Sequence, residues 1–279
     1  MGSCVTPSLH PVKTGTWSNP PDHQRSPGYA MKIIVAPNRE KACRYAASVV
    51  VSKFMEPYPV RLGLATGHTM IPVYASVVQQ LMETPNRPVA HVTTFNLDEY
   101  WPITPDHPGS FQYFMQAHLF SKVPGFLRQV NFLQGDVPDP EIECERFDYL
   151  LCQTPIDLQI VGLGVNGHIG FNEPGTPFAS RTRKVRLAPA TMERNGRDFP
   201  GVMPAEALTV GIANIMAAKA VLLVAFGIEK RNILSRALRG PVIESCPASI
   251  LQWHPDVTII TDKNTARPLA MHCRQCADE

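Results

Sequence analysis

The 279-residue sequence lacks the features that are typical of membrane proteins and of nucleic-acid-binding proteins. Its longest apolar run, Ala220 to Ile228, is far too short to span a bilayer. It has no dense block of lysine and arginine, and its net charge is only +2. Its first residues lack a charged start followed by an apolar segment, so we expect no secretory signal. We therefore predict no membrane partner and no nucleic-acid partner.

The sequence also lacks the spacings that are typical of metal, redox and dinucleotide sites. Its seven cysteines are scattered, which indicates reduced thiols and predicts a cytoplasmic protein. Cys273-x-x-Cys276 has no second pair and lies in a polar tail, so we interpret it as incidental. Gly162-x-Gly164-x-x-Gly167 matches a dinucleotide string, but the ribose-binding acid expected about 20 residues later is missing. The sequence thus predicts no metal and no dinucleotide cofactor.

The sequence divides into three parts. Residues 1–30 hold five prolines and no apolar periodicity, which indicates a disordered leader or a mis-assigned start. Residues 31–265 are predicted to form an α/β domain, and residues 266–279 are a polar C-terminal tail. Within the domain, residues 176–204 are polar, basic and irregular, so they form either a mobile lid or an ordinary surface excursion.

Apolar runs alternate with helix-length amphipathic segments along the domain, which predicts a parallel sheet with helices on both faces. The predicted strands are Met31–Ala36, Arg61–Thr66, His91–Asn96, Val130–Leu133, Leu158–Gly164, Ala207–Ile212, Ala220–Phe226 and Val257–Thr261. The predicted helices are Arg39–Phe54, Ile71–Met82, Ser110–Phe120, Pro140–Cys152, Ile228–Leu238 and Pro247–Gln252. Ligands bind such sheets beyond the carboxyl ends of the strands, and three polar motifs follow strands here.

The first motif is the loop Thr66-Gly67-His68-Thr69, between a predicted strand and a predicted helix. The glycine frees the backbone, and the N–H groups at the helix start offer an anion site that the threonine hydroxyls extend. The same residue types also serve as simple helix caps. The loop alone therefore leaves phosphate binding and capping both open.

The second motif is the adjacent pair Asp98-Glu99, which follows the apolar strand that ends at Asn96. Neighbouring side chains of an extended chain point to opposite faces, so one carboxylate can enter a cleft while the other meets solvent or a structural partner. A carboxylate in a partly dry cleft suits a general base. A helix cap or a surface acid is the structural alternative.

The third motif is the glycine-rich loop from Gly164 to Pro174, which follows a predicted buried strand. It carries His168, whose imidazole titrates near neutrality and can both take and give a proton. Glu173 lies five residues later and is placed to hold one ring nitrogen, as the acid of a catalytic triad does. A histidine in such a loop, with an acid nearby, favours a catalytic role.

Together the three motifs resemble the glucosamine-6-phosphate deaminase family. The resemblance covers about residues 31–262 and depends above all on the strings Phe95-Asn96-Leu97-Asp98-Glu99-Tyr100 and Asn166-Gly167-His168-Ile169-Gly170-Phe171-Asn172-Glu173-Pro174. It implies a single α/β domain with a modified doubly wound, mainly parallel sheet and an active-site lid. It also implies the hydrolytic isomerisation of glucosamine 6-phosphate to fructose 6-phosphate and ammonia, without a metal or organic cofactor.

The resemblance implies a role for each motif. Asp98, rather than Glu99, moves the C2 proton to C1, while His168 opens the sugar ring. Glu173 orients the imidazole of His168. The residues expected to bind the phosphate are Thr66, Gly67, His68, Thr69, Arg197 and Lys230.

Two residues depart from the family pattern. Asn166 stands beside His168 where some members carry Asp; it can hydrogen-bond an imidazole but brings no charge, so Glu173 supplies the negative charge alone. His68 lies where small residues are common and faces either the phosphate or solvent. The resemblance leaves the oligomeric state open, a homo-oligomer included.

Three other functions compete with this prediction: a galactosamine-6-phosphate deaminase, a 6-phosphogluconolactonase-like hydrolase and a non-catalytic sugar-phosphate sensor. The run Ile169–Pro174 after His168 differs from the segment expected of a lactonase. A sensor requires no base, so the presence of Asp98, His168 and Glu173 argues against it. The sequence does not decide between the gluco and galacto epimers.

Overall fold

The structure, a computed structural model, describes residues 30–84 and 91–270. The predicted leader (apart from its last residue), residues 271–279 of the predicted tail and the Cys273–Cys276 pair lie outside the described residues. Within the described part of the chain, every helix is too short or too polar to cross a membrane.

The described part of the chain folds into strands and helices that alternate, as the sequence predicts. The strands are β1 (Ala30–Ala36), β2 (Val60–Leu64), β3 (Val92–Asn96), β4 (Asp98–Trp101), β5 (Leu127–Asn131), β6 (Leu158–Gly162), β7 (Arg183–Arg186), β8 (Glu206–Thr209), β9 (Val221–Ala225) and β10 (Asp256–Asp262). The α-helices are α1 (Arg39–Phe54), α2 (Ile71–Glu83), α3 (Phe111–His118), α4 (Pro140–Cys152), α5 (Pro189–Gly196), α6 (Ile212–Met216), α7 (Arg231–Arg239) and α8 (Lys263–Ala270). Short 3-10 helices lie at Phe120–Lys122, Pro124–Phe126, Ile228–Lys230 and Pro247–Trp253.

Seven strands form one parallel sheet in the order β1-β10-β9-β6-β2-β3-β5. The chain starts at one edge, enters the middle at β2 and builds outward through β3 and β5. It then returns at β6 and builds in the opposite direction, so the order switches between β2 and β6. All five residues of β9 are buried, as expected for a strand with both faces covered. The prediction of a doubly wound, mainly parallel sheet is confirmed.

The switch point opens a crevice. Among the described residues, β2 and β6 pair at Leu62–Leu158 and Gly63–Gln159 alone, so their carboxyl ends are not held together. Open α/β sheets bind ligands at such a point. The loops after β2 and β6 carry the first and third motifs, so the topology places both motifs at one crevice.

A second sheet of three antiparallel strands, β4-β8-β7, lies at this edge, because β4 begins two residues after β3 ends. The prediction of Ala207–Ile212 as a further strand of the parallel sheet is wrong, since β8 belongs to this small sheet. The sequence did not predict β4 or β7. β4 is dominated by its acidic pair, and Arg183–Arg186 has three charges and one valine, without the alternation of a half-buried strand.

The helices follow the predictions most closely where their starts are marked by caps. The bounds of α1 and α4 match the prediction: Asn38 accepts a hydrogen bond from the Lys41 N–H, and Asp139 accepts two from the first turn of α4. The segment 176–204 is not irregular throughout, because it contains β7 and α5. The helix predicted to start at Ile228 begins with a 3-10 turn before α7.

Candidate active site

The candidate site lies at the carboxyl edge of the parallel sheet, where the loop after β6 packs against β4. Gly170 makes this contact, with a φ of 58°. A Cβ atom at Gly170 would lie 3.2 Å from Thr209 Oγ1 and 3.6 Å from Asp98 Oδ2. At Gly164, a Cβ atom would lie 2.3 Å from the imidazole of His168. The glycines therefore let the histidine loop (residues 164–174) fold tightly beside β4, the acid strand.

The strand β4 gives the two adjacent acids different partners. Glu99 Oε1 accepts hydrogen bonds from the N–H groups of Tyr100 and Phe111, each at 2.9 Å. Glu99 Oε2 accepts a third from Gln112, also at 2.9 Å, so this carboxylate caps the start of α3. The side-chain carboxylate of Asp98 accepts no hydrogen bond from any described residue, and Asp98 is 7% exposed. Glu99 thus has the structural role, and Asp98 is buried but reachable.

Burial favours the neutral, protonated form of both Asp98 and Glu99. Burial raises the pKa of Asp98 to about 8, and the neighbouring charge of Glu99 adds to the rise. Burial also raises the pKa of Glu99, to about 7, against the opposing effect of its three N–H donors. Because those donors favour the carboxylate form, Glu99 ionises first and Asp98 keeps its proton longer. A carboxyl that exchanges a proton near neutral pH suits proton transfer.

The histidine loop pairs His168 with a carboxylate that is held on both oxygens. His168 Nδ1 lies 3.2 Å from Glu173 Oε1, although the ring N–H is not aligned for a hydrogen bond. Thr191 Oγ1 donates to the same Oε1 at 2.6 Å, and Asn166 Nδ2 donates to Oε2 at 2.6 Å. Burial favours the neutral acid, but the contacts with His168, Thr191 and Asn166 outweigh it and lower the pKa of Glu173 to about 2. Glu173 is therefore a fixed negative charge beside the imidazole.

Asn166 contacts Glu173 rather than the imidazole. Besides its bond to Oε2, its Oδ1 accepts a hydrogen bond from the main-chain N–H of His168 at 3.2 Å. The neutral side chain thus acts as a bridge between the two residues. An acid at this position would face Glu173 directly, so the amide suits its surroundings.

The loop after β2 lies beside a buried lysine. Lys230, at the end of the 3-10 turn before α7, is 5% exposed, and its Nζ donates to Thr69 Oγ1 at 3.2 Å. Burial, together with the positive charges of Arg194 and Arg39, lowers the pKa of Lys230 to about 8. Gly67, with a φ of 97°, turns the loop at this point. A buried cation among other cations calls for an anion, as expected of a phosphate site.

Two other predicted phosphate ligands, Arg197 and His68, contact acidic side chains rather than Lys230. Arg197 Nη2 lies 2.9 Å from Glu193 Oε1, and both side chains are exposed. His68 Nε2 lies 3.6 Å from Asp198 Oδ2, which joins the loop after β2 to the segment after α5. Among the described residues, no hydrogen bond links Arg197 or His68 to Lys230.

Helix α5 contributes site residues that the sequence did not reveal. Thr191 contacts Glu173, Arg194 lies near Lys230, and Asn195 Nδ2 donates to Tyr100 Oη at 3.0 Å. These residues lie in the stretch that was predicted to be irregular. Pro189 at the first helical position was the available signal for a helix start. A helix from Pro189 would have placed Thr191 and Asn195 on one face.

The described residues offer no group of three or more His, Cys, Asp or Glu side chains with the geometry of a metal site. The site consists instead of a buried cation, a carboxyl with a raised pKa and an imidazole beside a fixed carboxylate. It can hold an anion at one end and move protons at the other.

Comparison with known proteins places these features in a family. The family model described as glucosamine-6-phosphate isomerases/6-phosphogluconolactonase matches residues 38–260. A glucosamine-6-phosphate deaminase from Geobacillus sp. (strain WCH70) is 42% identical over 237 residues, which is 84% of this chain and 94% of the relative. One from Listeria monocytogenes serotype 4b (strain CLIP80459) is 41% identical over 238 residues, 85% of this chain and 99% of the relative.

Solved structures agree with these relatives. A monomeric glucosamine-6-phosphate deaminase has a TM-score of 0.79 and 36% identity, over 85% of this chain and 99% of the other. The 6-phosphogluconolactonase from Trypanosoma brucei has a TM-score of 0.68 at 17% identity, over 86% of this chain and 99% of the other. The second likeness shows a shared fold alone.

The two acids of β4 should respond differently to an amide. We expect Glu99→Gln to be less stable than Asp98→Asn by about 1–3 kcal/mol, because an NH2 group then faces the N–H donors of α3. We expect Asp98→Asn to cost little at pH 5 and to stabilise the protein relative to the wild type at pH 9.

The sign follows from the raised pKa of Asp98. The folded state holds this proton up to about pH 8, whereas the unfolded state releases it near pH 4, so the wild type loses stability as pH rises between them. Urea unfolding of both variants at pH 5, 7 and 9 measures these effects. Equal destabilisation by the two substitutions would contradict the division of roles.

Proposed function

The chain belongs to the glucosamine-6-phosphate deaminase family, and on that premise we propose that it is an enzyme that converts glucosamine 6-phosphate and water into fructose 6-phosphate and ammonia. One observation carries this proposal above the others. Of two adjacent buried acids, Glu99 accepts hydrogen bonds from the start of α3. The Asp98 carboxylate accepts none from the described residues and lies beside the histidine loop. A binding protein has no need of such a carboxyl.

The first step is ring opening by His168. The imidazole takes the proton of the anomeric hydroxyl and gives a proton to the ring oxygen, which breaks the bond between C1 and that oxygen. The imidazole of His168 is positively charged during the transfer. Glu173, whose pKa is about 2, stays ionised and stabilises that charge at 3.2 Å.

The second step is a proton transfer between adjacent carbons by Asp98. In the open-chain aldehyde the C2 proton is acidic, and the Asp98 carboxylate removes it to give an enol-type intermediate. The same carboxyl returns the proton to C1, while the amine gives up one proton and O1 gains one, which leaves a hydroxyl at C1 and an imine at C2. Water then adds to C2 and ammonia leaves, so the sugar becomes a ketose. One carboxyl serves both carbons because they are neighbours.

The phosphate takes no part in the chemistry and holds the substrate in place. We assign it to Lys230 together with Thr66, Gly67 and Thr69, because Lys230 is buried against Thr69. Arg194 and Arg39 add positive charge around the same lysine. Arg197 and His68 remain candidate ligands from the resemblance; their present contacts are Glu193 and Asp198. Binding of a remote group of this kind helps to position the reacting carbons.

We also propose a cytoplasmic enzyme that works as a single chain or as a homo-oligomer. The cysteines of the described residues, Cys43, Cys144, Cys152 and Cys246, are free thiols, which fits a reducing compartment.

Asp98→Asn should abolish the reaction while sparing binding. We expect ammonia release to fall by about 10²- to 10⁴-fold, the usual contribution of a general base. Binding of fructose 6-phosphate, measured by calorimetry, should change little because the phosphate site is intact. The assay is run side by side with glucosamine 6-phosphate and galactosamine 6-phosphate. Wild-type turnover by the variant would exclude Asp98 as the base, and no ammonia from either sugar with the wild type would exclude the proposed function.

His168→Gln should impair the cyclic sugar selectively. Glutamine cannot shuttle a proton, so kcat for glucosamine 6-phosphate should fall by about 10²-fold or more. An open-chain analogue, which needs no ring opening, should react at a rate close to that of the wild type. Equal losses on the two substrates would argue against a ring-opening role.

Lys230→Met should raise KM more than it lowers kcat. Removal of a buried cation that binds phosphate should raise KM by about 10- to 100-fold, as expected for the loss of a charged hydrogen bond. In the wild type, KM should also rise above pH 8, where Lys230 loses its proton. Lys219→Met is the matched control, because Lys219 pairs with Asp157 at 2.7 Å and is largely exposed. Similar KM values for the two variants would contradict the assignment.

A further inference from the structure

Helix α5 makes contacts with both catalytic motifs through one face. Thr191 donates to Glu173 of the histidine loop, and Asn195, one turn later, donates to the hydroxyl of Tyr100 in the acid strand. Thr191 and Tyr100 are 6% and 3% exposed, so each contact has one buried partner and one half-buried partner. Residues four apart lie on the same side of a helix. The helix is thus docked on the two motifs at once.

The contact with Glu173 involves the oxygen that faces the imidazole. Oε1 receives the Thr191 hydroxyl at 2.6 Å and lies 3.2 Å from His168 Nδ1, while Oε2 receives Asn166. The two donors therefore fix the plane and the rotation of the carboxylate. Without Thr191, Oε1 keeps only the imidazole as a polar neighbour among the described contacts, and the carboxylate is free to rotate about its last bond.

We propose that Thr191 is a positioning residue for ring opening, which holds Glu173 Oε1 in place beside His168 and makes the docking of α5 a condition for an effective histidine–glutamate pair. The inference depends on the proposed function and deepens it. It gives α5 a function in positioning Glu173, which is distinct from covering the site. It also explains why a buried hydroxyl lies against a carboxylate at 2.6 Å, the length of a charge-assisted hydrogen bond.

Other features of α5 agree with a docked helix. Tyr100 packs in a cluster of aromatic rings, with its centroid 5.7 Å from Phe171 of the histidine loop and 5.5 Å from Phe199 beyond α5. The charge of Arg194, on the same helix, acts on Lys230 at the phosphate site. A shift of α5 would therefore disturb the acid strand, the histidine loop and the phosphate site together.

The test compares Thr191→Val, which removes the hydroxyl and keeps the shape, with Thr191→Ser, which restores a hydroxyl. We expect Thr191→Val to lower kcat for glucosamine 6-phosphate by roughly 10-fold or more, with a smaller change in KM. The open-chain analogue should react nearly as with the wild type, and Thr191→Ser should recover most of the loss. Thr182→Val is the matched control, because Thr182 is also a buried threonine of the 176–204 segment and its hydroxyl has no hydrogen-bond partner among the described residues.

A second readout does not depend on turnover. Titration of the Glu173 carboxyl by ¹³C NMR should give a higher pKa in Thr191→Val than in the wild type, because a donor to the carboxylate is lost while His168 and Asn166 stay in place. An active wild type with an unchanged Thr191→Val variant would overturn the inference. So would equal losses on the cyclic and open-chain substrates, or an unshifted Glu173 pKa. An inactive wild type would instead count against the proposed function.

Discussion

The two hydrogen bonds that Glu99 accepts from the start of α3, together with a third from Tyr100 in β4, determine the geometry of the site. They tie β4 to α3 and fix which way each acid of the pair points. With Glu99 turned towards the helix, Asp98 is left on the other side, against the histidine loop. The same arrangement starts the small antiparallel sheet, in which Asp98, Thr209 and Arg183 lie side by side. The cap that Glu99 forms on α3 thus places the Asp98 carboxyl beside the histidine loop.

The site keeps its positive and negative charges at different ends. Lys230, with Arg194 and Arg39 nearby, faces the loop after β2, whereas Asp98 lies in β4 and Glu173 in the loop after β6. The pKa of Asp98 is accordingly raised by burial and by Glu99, and Lys230 is not among the charges that shift it. A substrate with a phosphate at one end and a reactive carbonyl at the other matches this order. The switch between β2 and β6 makes the separation possible, because the phosphate-binding loop follows β2 and the histidine loop follows β6.

Sequence reasoning predicted the elements that carry local signals. Capping residues marked the starts of α1 and α4, and buried apolar runs marked the parallel strands. The small sheet was missed because its strands gain stability from pairing with each other rather than from an apolar pattern. For the site, motif spacing grouped Asp98, His168 and Glu173 correctly at one edge of the sheet, but the sequence could not show that Glu99 caps α3 or that Asn166 bridges to Glu173. Thr191 was missed because its partner is 18 residues away and the one local signal, Pro189, marks a helix start rather than a site.

The burial of Asp98 also bears on which sugars can react. A carboxyl with a pKa of about 8 keeps its proton at neutral pH unless a positive charge comes near. An amino sugar brings its own ammonium group to that carboxyl, whereas a hexose phosphate with a hydroxyl at C2 brings none. An ammonium group beside Asp98 would lower the pKa of this carboxyl and favour the carboxylate that the proposed proton transfer uses.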